Sequence, residues 1–147
     1  MSVDITQEEA DNLLAMEKHY YGNERFFLPL HGGKLTIPVH SEDKREKFLL
    51  DANRGTIALH RINYQNRART IVPLIRIDFG TAPHTNPDGE VLECPHMHIY
   101  RPGFGDRWAY PLPDSFDKNA PMQDFFQSFM DYCKIVTKPI IELEIFQ

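Results

Sequence analysis

Apolar and polar residues alternate with a period near two through the middle of the chain and with a period near 3.6 close to its two ends. Thr6-Gln7-Glu8-Glu9 reads as a helix start, with Glu9 at the capping-box position. The spacing of Leu13, Leu14, Met16 and Tyr20 extends that helix from about Gln7 to Tyr20, where Gly22-Asn23 stops it. Phe26–Leu30 and Lys34–Val39 flank His31-Gly32-Gly33 and predict a hairpin. Ser41–Lys44 opens a short helix or turn to about Asp51. Gly55–Tyr64 and Arg67–Phe79 read as two strands joined tightly at Gln65-Asn66. Ile71, Ile75, Ile77 and Phe79 line one face of the second strand, with Thr70, Val72, Leu74, Arg76 and Asp78 on the other.

Asn86-Pro87-Asp88-Gly89 is a type I turn signal that returns the chain into a strand over Glu90–Arg101. Pro102-Gly103-Phe104-Gly105-Asp106 turns it again into Arg107–Tyr110. A second helix over about Met122–Val136 presents Phe125, Phe126, Phe129, Met130 and Cys133 at helical spacing, and Pro139–Ile145 reads as a last strand. The expected fold class is α+β: one domain over residues 1–147, a curved antiparallel sheet with helices packed on one face and the other face partly open.

On that outer face the sequence concentrates its chemistry. In Cys94–Arg101, strand alternation puts His96, His98 and Tyr100 on one side and Met97 and Ile99 on the other. A meander brings Arg76 and Asp78 beside them, with His84 on the connecting loop. Read as phosphodiester chemistry, His96, His98, His84, Tyr100 and Arg76 form a catalytic set in which histidine moves a proton and arginine neutralises developing charge. Read as metal chemistry, His84, His96, His98 and Asp78 are the ligands. Read as an interface, the same aromatic and arginine face, with Phe104 at the adjacent turn, docks a protein.

Charge sharpens the first reading. The net charge is −5, yet residues 52–110 carry 7 arginines, no lysine and only 5 acids. Arg61, Arg67, Arg69 and Arg101 are therefore candidate phosphate-binding residues, since guanidinium forks suit phosphate and carboxylate alike. Salt bridges from these arginines to the acidic flanks are the competing reading. No apolar run approaches the ~20 residues of a membrane helix, so no membrane partner is expected. Met1-Ser2-Val3-Asp4 lacks the features of a signal peptide, and Cys94 and Cys133 match no zinc or redox spacing, which predicts reduced thiols and a cytoplasmic location. No motif calls for a cofactor.

Arg76-Ile77-Asp78, His84 through Gly89, His96-x-His98-x-Tyr100 and Trp108-Ala109-Tyr110 together resemble a family of small uncharacterised bacterial proteins, over about a third of the chain. That resemblance implies no activity. The element order and the Arg/His/Tyr chemistry are also similar to messenger-RNA interferase toxins, which implies metal-independent endoribonuclease activity, RNA as substrate and a cognate antitoxin as partner. The leading expectation is thus a small RNA-binding or RNA-cleaving protein of a toxin–antitoxin pair. A non-enzymatic protein-binding module and a His-rich metal-binding protein are the alternatives.

Overall fold

Thr6 caps the first helix as its sequence predicts: its hydroxyl accepts from the Glu9 backbone N–H, and the Glu9 carboxylate accepts from the Thr6 N–H. A computed structural model describes residues 4–143. Helix α1 spans only Gln7–Ala15, because Met16 turns to extended backbone. Lys18 explains the early stop. Its buried Nζ donates to Met16 O at 2.9 Å and to Cys133 O at 2.8 Å, so one ammonium satisfies carbonyls beyond the ends of both helices. Burial pushes that ammonium down to about 8.

The strands are β1 (Lys18–His19), β2 (Arg25–Leu28), β3 (Gly33–His40), β4 (Lys47–Arg54), β5 (Ile62–Ala68), β6 (Val72–Phe79), β7 (His84–Thr85), β8 (Val91–Leu92), β9 (His96–Ile99) and β10 (Ala109–Pro111). Helix α2 (Met122–Tyr132), β11 (Ile135–Thr137) and β12 (Ile140–Leu143) follow. Eight strands form a strongly curled, mostly antiparallel sheet in the order β10-β9-β6-β5-β4-β3-β1-β11. The expected α+β class and antiparallel sheet are therefore present. Its inner face packs on α2, where Tyr64 lies 5.6, 5.3 and 5.9 Å from the rings of Phe125, Phe126 and Phe129.

Several boundaries differ from expectation. Gln65-Asn66 is not a turn but the middle of β5, and the β5–β6 reversal falls at Arg69 and Thr70, both at positive φ (51° and 65°). Asn66 can be buried in a strand because its Nδ2 donates to Leu49 O at 3.2 Å. Ile71 lies beside that turn and is exposed. Arg67 pairs with Pro73 while Asn66 pairs with Ile75, so Leu74 is an extra, bulged residue, fully buried. The predicted β2–β3 hairpin is absent, since β2 pairs in parallel with β12 instead. The stretch after Ser41 is a turn that enters β4 rather than a helix. Helix α2 stops at Tyr132, and the end of the last predicted strand lies outside the described residues.

Truncating the core should weaken the fold strongly. Phe126→Ala, at a fully buried position, should cost about 3–5 kcal/mol in urea unfolding. Ile57→Ala, at a site 98% exposed, should stay within about 0.5 kcal/mol. Equal losses in the two variants would contradict this packing.

Candidate functional site

Strand β9 pairs antiparallel with β6, and its register places His96 opposite Asp78 and His98 opposite Arg76. Met97 and Ile99 turn inward, so the two histidines share the outer face. That face is not open here. The β7–β8 hairpin and the turn after Arg101 supply the residues that surround both rings, leaving His96 and His98 only 1% and 2% exposed. The hairpin turn forms as predicted, with Gly89 N–H donating to Asn86 O. The buried Asn86 amide then imitates a strand neighbour of β10, donating to Ala109 O at 2.9 Å and accepting from Ala109 N at 2.8 Å. This clamp holds His84 over the pair, with its ring centroid 4.7 Å from that of His98 and 5.8 Å from that of His96.

Backbone carbonyls orient all three rings. His96 Nδ1 lies 3.2 Å from Glu93 O, His98 Nδ1 lies 2.7 Å from Asp106 O, and His84 Nε2 lies 2.7 Å from Arg107 O. A carbonyl oxygen only accepts, so each of these nitrogens carries the proton. In the neutral rings of His96 and His98, Nε2 is then an unprotonated lone pair. Both lone pairs converge on one carboxylate oxygen, with Nε2 to Asp78 Oδ2 distances of 3.6 Å for His96 and 3.1 Å for His98. The His98 contact is close but out of line for a hydrogen bond, which leaves that buried nitrogen without an aligned partner. Asp78, His96 and His98 each offer one donor atom, all within 4.8 Å of one another.

Arg76 sits beside this triad as a positioning cation. Its Nε donates to Asp78 Oδ1 at 2.8 Å and its second terminal nitrogen to Asp78 Oδ2 at 3.1 Å, while the other terminal nitrogen donates to Asp106. Burial would raise the Asp78 carboxyl, but the His98 ring, in its protonated form, and Arg76 outweigh it and hold the group at about 2. Burial lowers the His96 imidazole below its ordinary range. With neutral histidines, Asp78, Asp106 and Arg76 leave the cluster one negative charge in excess.

The other predicted site residues do not gather here. Strand β9 ends at Ile99, so alternation no longer governs Tyr100, whose buried hydroxyl contacts Asp4 and accepts from Ile5 N at 2.9 Å. Arg67 is clamped on Asp51 at 2.7 and 2.9 Å, and Arg69 reaches Glu46 and Glu9 at 3.2 Å. Arg101 donates to the Tyr110 hydroxyl and lies 4.0 Å over the Trp108 ring, against which Phe104 packs edge-on. Arg61 is exposed, on the loop that enters β5. Asp106 and the carbonyls of Glu93 and Arg107 were missed by sequence reasoning. Turn carbonyls leave no periodic signal, and Asp106 reads as an ordinary turn acid.

One wider feature follows from the register. Two cross-strand rows of polar residues run outward from the cluster on the same face: His98, Arg76, Gln65, Asp51 and Thr36, and His96, Asp78, Asn63, Asn53 and Lys34.

A fold and site of this kind define an α+β protein with a buried carboxylate–imidazole cluster. The chain belongs to a family of unknown function, DUF6978, whose model matches residues 5–135. Neither the curated proteins nor the solved structures hold a match for it. Similarity to messenger-RNA interferase toxins receives no support from these comparisons. No described helix is long and apolar enough to cross a membrane. Cys94 and Cys133 are free thiols.

The Asp78 shift has a consequence for acid stability. Its folded value of about 2 lies below the ordinary 3.8, so its contribution is fully present above pH 3.8 and is lost as pH falls toward 2. The size is about 2 kcal/mol. Chemical denaturation between pH 5 and pH 2 should show this loss in the native protein and a shallower one in Asp78→Asn. Parallel curves for the two proteins would remove Asp78 from the account.

Proposed function

We propose that Asp78, His96 and His98 form a divalent-cation site, and that binding such a cation is the function this geometry supports best. The single observation that carries the reading is the convergence of two Nε2 lone pairs on Asp78 Oδ2. Lone pairs facing a carboxylate oxygen repel unless something positive lies between them. Metal–ligand bonds of about 2.0–2.2 Å place neighbouring donor atoms about 3–3.5 Å apart, close to the 3.1 and 3.6 Å found here. The Nδ1–H groups held by backbone carbonyls are the outer contacts that fix a ligating imidazole in the required tautomer. Two imidazoles and one carboxylate suit zinc, iron or manganese, and three protein ligands leave a coordination position free. The excess negative charge of the cluster favours a cation. Two nearby groups set its character: Arg76 reduces the charge on Asp78 and would weaken a very hard ion, while His84, expected as a ligand, stands over the pair without a nitrogen in the donor group.

Metal-independent cleavage of RNA uses the same histidines as proton carriers. It would also draw on arginines free to hold phosphate, and Arg67, Arg69 and Arg76 already hold carboxylates. A proton shared between His98 and Asp78 would want a straight N–H···O line, which the contact lacks. The cation reading therefore fits the cluster better.

Isothermal titration of the metal-free protein with zinc should show one site per chain. Saturating zinc at about 100 times the dissociation constant should add about 2.7 kcal/mol of stability. His98→Ala and Asp78→Asn should each weaken zinc by about tenfold or more. No heat and no thermal shift, or unchanged binding in both variants, would defeat the proposal.

A further inference from the structure

The second polar row leads away from the cluster into a cavity of about 370 Å³. Lys34, Asn53, Arg54, Thr56, Arg61 and Asn63 line it, and none of its lining residues is acidic. In a chain of net charge −5, a concave site with three cations and no carboxylate is a local reversal of sign. The contrast with the other arginines is direct. Arg25, Arg67, Arg69 and Arg76 each meet a carboxylate, whereas among the described residues Lys34 and Arg61 carry no side-chain hydrogen bond or ion pair. Arg54 spends its Nε on Leu59 O at 2.6 Å but still adds its charge.

The floor supplies directed donors. Asn53 Nδ2 donates to Asn63 Oδ1 at 3.0 Å, which orients the Asn63 amide and leaves its Nδ2 hydrogens for another acceptor. The wall is fixed by close backbone approaches. A Cβ on Gly32 would lie 2.7 Å from Thr56 Cα, and one on Gly80 would lie 2.1 Å from His60 O. Both glycines also have positive φ, so the 55–61 loop carrying Arg61 is pinned from two sides.

We infer that this cavity is an oxyanion subsite that takes a phosphate-class group between Lys34, Arg61 and the Asn63 amide. A tetrahedral oxyanion accepts from several donors at once, and an arginine fork, an ammonium and an amide offer that set. Asn63 is the direct cross-strand neighbour of Asp78, while Lys34 is three strands from it, or about 14 Å at the usual strand spacing. The subsite thus begins one strand from the cation cluster but shares none of its three donor residues.

The test is a titration of the full chain with inorganic phosphate, in chelator and at constant ionic strength set with chloride, followed by amide NMR shifts. Chelator makes the outcome independent of the cation reading. Saturable shifts should appear at the Asn53 and Asn63 side-chain amides and at Gly55 and Thr56, with sulfate reproducing them and chloride not. The Lys34→Ala/Arg61→Ala double variant should bind phosphate about tenfold more weakly or worse. A Lys47→Ala/Lys118→Ala variant removes the same charge from exposed positions elsewhere and should bind as the native protein does. Shifts that chloride reproduces, a Lys34/Arg61 variant with native affinity, or equal losses in the two double variants would overturn the inference.

Discussion

Tyr64 is the residue on which the arrangement of the sheet turns. Its ring is fully buried among Phe79, Phe125, Phe126 and Phe129, and burial drives its phenol well above the ordinary range. Because side chains alternate along a strand, Tyr64 facing α2 forces Asn63 and Gln65 to the opposite side. Register carries that choice across the sheet to Asp78 and Arg76 on β6, and then to His96 and His98 on β9. A slip of one residue would exchange every inner and outer position, burying the amides against α2 and exposing the aromatic rings. Packing on one face thus determines the chemistry on the other.

The outer face then has an electrostatic problem of its own. Asp78 is only 8% exposed, and a carboxylate taken out of water is costly without compensation. Arg76 supplies part of that compensation through both carboxylate oxygens, and Asp106 in turn meets the remaining terminal nitrogen of the guanidinium. Buried ion pairs of this kind are weak stabilisers compared with apolar packing. The same residues would be an inefficient way to build a core, but they keep a carboxylate ionised beside two oriented imidazoles. That combination is what a cation or a proton in transit requires.

How much of this was legible in the sequence follows from which forces are local. Alternation alone put His96 and His98 on one face with Asp78 and Arg76 beside them, and the Asn86-Pro87-Asp88-Gly89 turn brought His84 back over them. The cap at Thr6 and the aromatic spacing of α2 were equally plain. What failed was non-local. Asn66 looked like a turn residue because nothing nearby announces the Leu49 carbonyl that accepts its amide. The true turn at Arg69-Thr70 lacks glycine, although both residues take positive φ. The pairing of β2 with β12 joins segments more than a hundred residues apart, and no pattern within either one predicts it. The arginine-rich window was visible, but nothing in it announces that Arg67, Arg69 and Arg76 would be held by carboxylates while Arg61 would not. Tyr100 was lost for a simpler reason, since its strand had already ended.

The division of labour between sheet and loops explains how the cluster holds its geometry. The sheet fixes where each histidine stands, but it does not fix which nitrogen carries the proton. Three carbonyls, at Glu93, Asp106 and Arg107, do that, and all three lie in connecting segments rather than in strands. Backbone acceptors are indifferent to the identity of the residue that bears them, so these loops can change sequence without altering the tautomers if their paths are kept. The path beside Arg107 rests on Asn86, which joins the hairpin to β10 by two hydrogen bonds to Ala109. Losing that amide would leave His96 and His98 in place on β9 yet loosen the hairpin that carries His84 from the carbonyl at Arg107, next to Trp108 and Ala109. His84 would then be free to exchange tautomers while His96, held from within its own strand entry at Glu93, would not. The cluster therefore has one rigid member, His96, set by β9 and its entry, and one adjustable member, His84, set by the hairpin.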